Sequence, residues 1–368
     1  MTAETSTGVN LHAGADRIEA LQDSDGAISW IEAGIWDAWN HGESAMALGV
    51  AGRETAALRA LDNLLDRQEG DGGFTGELGA SAPLDAANRR LVPGELPTAR
   101  DTNFSGYVAV TVLRTLTALE RPDLFVRYQP MVAAAIDFVL DHQTGQGDIV
   151  WRAADEGESL GGIDSLRAGN ASLYKSLECA IRIARLLGRP TDHWAAARAR
   201  IGATIRENDA RFDRLGEDRR RYAMDWYYPA LAGVLPREAA RARLYARWSE
   251  FVEAGLGCRC VADEPWVTAA ETAELAMACL AAGKADSART LIKDLAPLQA
   301  AEGGYWMGWQ FKEETIWPWE RPAWTVAAVM LADDALERRT PGWDVLIENR
   351  VPELALRGGA EAPAIPRA

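Results

Sequence analysis

The chain has 368 residues, a formal net charge of −15, and only four cysteines and four histidines. A chain of that length buries roughly 75% of its unfolded surface without a disulfide or metal staple, and the acidic balance argues against a nucleic-acid binder, which needs a basic footprint. The same charge argues, more weakly, against an anionic polymer or a diphosphate as substrate and favours a neutral one.

In chain order, Met1 to Ser6 lacks the basic start and apolar run of a secretory signal. No stretch reaches the roughly 20 apolar residues of a membrane span, and the cysteine usage fits a reducing cytoplasm. Residues 1–8 read as a flexible tail. Beyond them one block recurs about six times: an amphipathic helix, a glycine- and tryptophan-rich loop, then a carboxylate or amide opening an apolar helix. The copies run Asp23-Ser24-Asp25-Gly26 to Trp36-Asp37-Ala38-Trp39-Asn40-His41-Gly42-Glu43, then Glu69-Gly70-Asp71-Gly72-Gly73-Phe74 to Asp101-Thr102-Asn103-Phe104. Next come Gly145-Gln146-Gly147-Asp148 to Gly169-Asn170, and Asn208-Asp209 to Met224-Asp225-Trp226-Tyr227-Tyr228-Pro229. The last are Gly255-Leu256-Gly257 to Asp263-Glu264-Pro265-Trp266, and Glu302-Gly303-Gly304-Tyr305-Trp306 to Glu313-Glu314-Thr315-Ile316-Trp317. One supersecondary unit per period of some tens of residues marks a repeat architecture.

The helices that follow the loops, such as those holding Ala45 to Leu48, Val108 to Leu113 and Leu275 to Leu280, are apolar nearly all round, as inner helices packed on both sides must be. Their partners over 54–68, 130–143, 194–207, 239–253 and 285–299 are amphipathic and rich in arginine, an outer layer with a solvated face. The expectation is an all-α fold, a single (α/α)6 toroid over residues 9–345 with a second flexible tail over 346–368. The ring leaves a cavity where its inner helices start, walled by long loops. Gly79 to Arg100 reads as a lid or excursion, and Gly147 to Trp151 as the one short strand.

The junctions at that mouth supply the chemistry, with Asp37, His41, Glu43, Asp101, Asp225, Glu264, Glu271, Glu313, Glu314 and Glu320. Asp37, Asp101 and Asp225 read singly as helix caps, but ten of the fourteen tryptophans lie beside them, too many for core filling. Aromatic faces next to carboxylates and amides suit a sugar, whose C–H face stacks on the ring while its hydroxyls bond Asp, Asn and Glu. Hydrolysing a glycosidic bond then takes two carboxyl groups, one protonating the leaving oxygen and one activating water or attacking the sugar. Asp37, between two tryptophans, and Glu264, before Pro265-Trp266 at the expected start of an inner helix, are the leading pair, with Asp225 third and Asp101 fourth. Trp36, Trp39, Asn40, His41, Asn103, Tyr107, Trp226, Tyr227, Trp266, Trp309, Trp317 and Glu314 are the expected sugar contacts. Glu43 reads as the reach-back member of a capping box with Asn40. Cys179 and Cys279 read as core residues, and Cys258-Arg259-Cys260 is too cramped for a zinc pair, so no metal or cofactor is expected.

The segment Gln68-Glu69-Gly70-Asp71-Gly72-Gly73-Phe74 resembles the glycine-rich repeats of prenyltransferase and terpene cyclase toroids. The chemistry of those enzymes does not follow, because the Asp-x-Asp-Asp acid motif is missing and Asp333-Asp334-Ala335-Leu336-Glu337 falls near the end of the last helix. The whole chain is more similar to bacterial α/α-toroid glycosidases. Trp36 to His41, Arg100 to Tyr107 and Met224 to Pro229 resemble the actinobacterial group of the methylmannose polysaccharide hydrolase, whose members are often labelled prenyltransferases. The resemblance spans about residues 10–340 and implies endo-acting α-1,4-mannosidase activity on a methylated oligosaccharide. The alternatives are an isoprenoid diphosphate enzyme, a non-catalytic glycan-binding toroid, and a hydrolase of anionic sugars. The oligomeric state is left open.

Overall fold

The computed structural model describes residues 7–32, 34–79, 99–216 and 218–354. Its helices are α1 (Leu11–Ala20), α2 (Ala38–Val50), α3 (Glu54–Arg67), α4 (Thr102–Ala118), α5 (Phe125–Asp141), α6 (Arg167–Leu186) and α7 (Asp192–Glu207). These are followed by α8 (Ala223–Leu231), α9 (Arg237–Ala246), the single turn α10 (Trp248–Phe251), α11 (Ala269–Ala281), α12 (Ala285–Asp294) and α13 (Ala323–Glu337). The even-numbered helices α2, α4, α6 and α8, then α11 and α13, pack each on the next, and α13 packs back on α2 to close the ring. The expected (α/α)6 toroid is the fold. In α4 every residue from Ser105 to Leu116 is buried, whereas α3 buries only one stripe, so the two layers differ as their sequences do.

The repeated glycine turns join the outer layer. Gln22, Gln68 and Gln143 each donate twice at 2.9–3.1 Å, to the carbonyl of the turn glycine and to a carbonyl of the next outer helix. Gly72 holds φ +93° with its Cα against the Ala134 carbonyl of α5, where a Cβ would collide. Gly303, also at φ +93°, seats on Ala13 of α1 and so closes the outer ring. Only glycine meets both demands, a left-handed backbone and no side chain.

Strands are more numerous than expected. A two-stranded pair joins β1 (Ile35–Trp36) to β2 (Leu78–Gly79), and an antiparallel meander runs β3 (Val252–Glu253), β4 (Gly257–Arg259), β5 (Trp266–Thr268), β6 (Gly308–Gln310), β7 (Thr315–Ile316). Strands of two or three residues are too short to show an alternating pattern. The segment expected as a strand, Gly147 to Trp151, makes only the isolated bridge Gln143 to Ile149.

The boundary expected at residue 345 falls short. Leu346, Ile347 and Val351 are buried, and Arg198 and Lys175 donate to the carbonyls of Val351 and Glu348 at 3.0 and 2.7 Å. The rest of that expected tail, residues 1–6, and all but the ends of the Gly79 to Arg100 excursion lie outside the described residues. Among the described residues no helix is long and apolar enough to cross a membrane.

Candidate active site

One outer helix returns the chain between successive inner helices, so the inner helices run parallel and their N-termini gather at one end. The caps are Asp37, Asp101, Leu166, Tyr222, Thr268 and Pro322. Residues at the same distance from each cap face the same way, and this sorts the candidates.

Four residues past the cap, the side chains turn outward to hold the preceding loop. His41 Nδ1, Ser105 Oγ, Asn170 Oδ1 and Thr272 Oγ1 accept the backbone N–H of Ile28, Phe74, Ile149 and Cys258 at 2.8–3.1 Å. With Nδ1 accepting, His41 Nε2 carries the proton and donates to the Ala60 carbonyl at 2.9 Å. Burial pushes its pKa down to about 4. His41 is therefore a neutral loop anchor, not the sugar contact expected. Trp36 is buried, its ring 5.0 Å from that of His41.

Six residues past the cap stand Glu43, Tyr107, Ser172, Tyr228, Glu274 and Ala328, all buried, and Glu43, Tyr107, Tyr228 and Glu274 form one connected cluster. Tyr107 donates to Glu43 Oε1 at 3.3 Å, the Trp39 indole donates to the same oxygen at 3.0 Å, and Trp39 stacks on Tyr107 at 4.3 Å. Tyr227 and Tyr228 both donate to Glu274. Burial raises Glu43 to about 7, with the charges of Asp37 and Glu271 adding to it. Burial and Glu43 hold Glu274 well above the ordinary carboxylate range. Glu274 was not among the expected site residues, and Glu43, expected to reach back and cap α2, does not. The cap is Asp37, and the shared offset of six is the signal that finds this layer.

At the mouth, Asp37 Oδ1 accepts from the amides of Trp39 and Asn40 at 2.8 and 2.9 Å, and Oδ2 from the Trp30 indole at 2.7 Å and the Asn40 amide group at 2.6 Å. Burial raises its pKa while those four donors oppose the rise. Asp101 accepts from the Phe104 amide at 2.9 Å. Burial takes its pKa to about 7, and the charge of Asp37 adds to the rise. Asn103, two residues into α4, keeps a buried Oδ1 without a partner.

Glu264 is placed differently from the expectation. It is exposed in the turn between β4 and β5, and Pro265 leads into a strand instead of a first helical turn. Helix α11 begins at Ala269, and the carboxylate in its first turn is Glu271, which accepts from the Thr268 hydroxyl and the Cys260 thiol. Glu314, also exposed, turns the β6–β7 hairpin at φ +50°. Trp226 points outward instead of into the cavity, stacked on Phe251 at 4.9 Å with its indole on the Arg243 carbonyl at 2.9 Å. Trp266, Trp309 and Trp317 lie on the meander, where Trp266 meets Trp317 edge to face at 5.1 Å and Trp317 is 47% exposed. Asp225, three residues past the α8 cap, lies 3.7 Å from Arg167 and 4.0 Å from Arg243.

The aspartates near the chain's end are structural, as their position suggested. Asp334 pairs with Arg114 at 3.0 Å, both fully buried, and Asp333 pairs with Arg339 at 2.6 Å. Among the described residues no group of His, Cys, Asp and Glu is arranged to hold a metal ion.

No protein-family profile matches the chain. It is 39% identical over 328 residues to the MMP endo-(1,4)-3-O-methyl-alpha-D-mannosidase of Mycolicibacterium hassiacum, covering 89% of this chain and 86% of that protein. Among solved structures it is similar to the GH63 mannosylglycerate hydrolase of Thermus thermophilus in complex with glucose, with a TM-score of 0.66 and 14% identity over 87% of this chain and 98% of the other. A structure described as a wild-type glycosidase gives a TM-score of 0.65 at 14% identity, over 89% and 96% of the two chains. At that identity the two structures speak for the fold alone.

Proposed function

This chain belongs to the family of the Mycolicibacterium hassiacum MMP endo-(1,4)-3-O-methyl-alpha-D-mannosidase, and from that premise we propose that it hydrolyses α-1,4-linked, 3-O-methylated mannose chains internally, without a metal. The observation that carries the reading within the molecule is the ring of carboxylates and aromatics at the N-terminal mouth. Asp37 and Asp101 cap adjacent inner helices, Glu271 stands on α11, and Glu43 and Glu274 lie beneath them. In the closed order of six inner helices, α4 and α11 are opposite each other.

Asp101, at about 7, holds a proton through much of the neutral range and supplies it to the leaving glycosidic oxygen. Glu271, on the opposed inner helix, activates water; an inverting reaction along this line needs the two carboxyls roughly 6.5–9.5 Å apart, with room for that water between them. Asp37 accepts from four donors beside it, and its charge adds to the rise that burial gives Asp101. The Trp39–Tyr107 stack supplies an apolar floor for a sugar face. Trp317 and Trp319, 47% and 59% exposed, offer further faces at the rim.

The test is hydrolysis of α-1,4-mannosides, with and without 3-O-methyl groups, in EDTA. Wild type cleaves, while Asp101→Asn, Glu271→Gln and Asp37→Asn each lose at least about a hundredfold in kcat, the usual worth of a general acid or base. Full activity of Glu271→Gln together with loss in Glu264→Gln would return the base to the hairpin. Failure to cleave any mannoside would refute the reading.

A further inference from the structure

Beside the proposed catalytic mouth, between the starts of α6 and α8, three buried polar atoms lack a hydrogen-bond partner: Arg167 Nε, Asp225 Oδ1 and Asp213 Oδ1. Arg167 and Asp225 are 5% and 4% exposed. Each is held firmly by its surroundings. Arg167 pairs with Asp209 at 2.8 Å and lies over the Phe212 ring at 5.2 Å, and the Asp213 carboxyl accepts from the Arg219 amide. Arg243 grips the backbone of the Asp225 turn, donating to the carbonyls of Asp225 and Trp226 at 2.8 and 2.7 Å. Yet Arg167 Nε and Asp225 Oδ1 stop 3.7 Å apart, too far for a hydrogen bond. Buried polar groups are nearly always satisfied, so a positioned donor and two acceptors left open mark a place for a ligand or an ordered water.

We propose that this gap is a sugar subsite that takes a pair of free hydroxyls on an unmethylated residue. The inference rests on the glycosidase reading. Two hydroxyl hydrogens go to Asp225 Oδ1 and Asp213 Oδ1, and one hydroxyl oxygen accepts from Arg167 Nε. The charges exclude the other occupants: a metal ion would face Arg167 and Arg243, and an anion would face Asp209, Asp213 and Asp225. A methyl ether has no hydrogen to donate and would leave a buried carboxylate oxygen open. A site built to bond a hydroxyl rejects an analogue without it far more strongly than an apolar pocket can. The subsite therefore selects against 3-O-methylation at this one position, and it places cleavage relative to an unmethylated residue of the chain.

The experiment measures dissociation constants of α-1,4-mannotetraose and its 3-O-methylated counterpart by calorimetry in a Glu271→Gln background, with and without Asp225→Asn or Asp213→Asn. The expected result is a loss of tenfold to a hundredfold for the unmethylated ligand, the worth of one or more bonds to a charged group, with under about threefold loss for the methylated one. Asp213→Asn, at a partly exposed position, keeps the test alive if Asp225→Asn does not fold. Equal losses for both ligands, or none, would overturn the subsite and leave a structural role or an ordered water only. Binding of neither ligand by the Glu271→Gln parent would overturn the glycosidase reading itself.

Discussion

Neutralising Glu43 should stabilise the protein at alkaline pH and leave it unchanged in acid. Its carboxyl, 6% exposed, titrates at about 7 in the folded chain, against 4.5 as its ordinary value. The folded state thus binds the proton more tightly than the unfolded state. Stability falls as pH rises from about 4.5 through 7, and the full penalty applies above that. At 1.36 kcal/mol per pKa unit, the penalty at pH 8.5 is about 3 kcal/mol. Glu43→Gln removes the charge and keeps an oxygen for Trp39 and Tyr107. With an unfolding entropy of ~2.1 cal/mol/K per residue, the Tm rises by about 4 °C at pH 8.5. Scanning calorimetry of both proteins at pH 5 and pH 8.5 reads the difference directly. Equal shifts at the two pH values, or a lower Tm at pH 8.5, would show that Glu43 is not a strained buried acid. Glu274 shares its environment, so the pair titrates as a unit, and Glu274→Gln should move the Tm in the same direction.

Arg114→Met should cost about 3–5 kcal/mol, because it strands the fully buried Asp334 as well as the carbonyls of Gly342 and Leu331; a denaturant series in which Arg114→Met with Asp334→Leu recovers none of the loss would contradict this. His41, lowered to about 4, should make the fold acid-sensitive: stability present above pH 6.5 is lost as pH falls towards 4, by up to about 3 kcal/mol. Urea unfolding across that range should show a shallower acid dependence in His41→Asn, and an unchanged slope would exclude the histidine. The rate should fall as pH rises through about 7, where Asp101 loses its proton. In whatever activity Asp37→Asn retains, that limb should move to lower pH, because the neighbouring negative charge is gone; a limb that stays in place would remove Asp37 from the control of Asp101.

The repeat was legible in the chain because it is local. Each glycine turn, the cap after it and the apolar helix beyond it lie within one stretch of sequence, so the six-fold plan of inner and outer helices and the gathering of Asp37 and Asp101 at one end could be read directly. The likeness of Trp36 to His41 and of Met224 to Pro229 to a glycosidase group carried the function for the same reason. What the chain alone could not convey is direction. His41 and Glu43 are two residues apart on one helix, yet one turns outward to hold Ile28 and the other inward to meet Tyr107 and Trp39. Trp226, in an aromatic run beside Asp225, packs against the outer layer. Glu264 and Glu271 both stand near the start of α11, and only the pairing of β4 with β5 puts the first on an exposed turn and the second at the mouth. Side-chain facing depends on the register of a helix against its neighbours. That register is set by contacts between segments hundreds of residues apart, such as Arg114 with Asp334, which no local pattern contains.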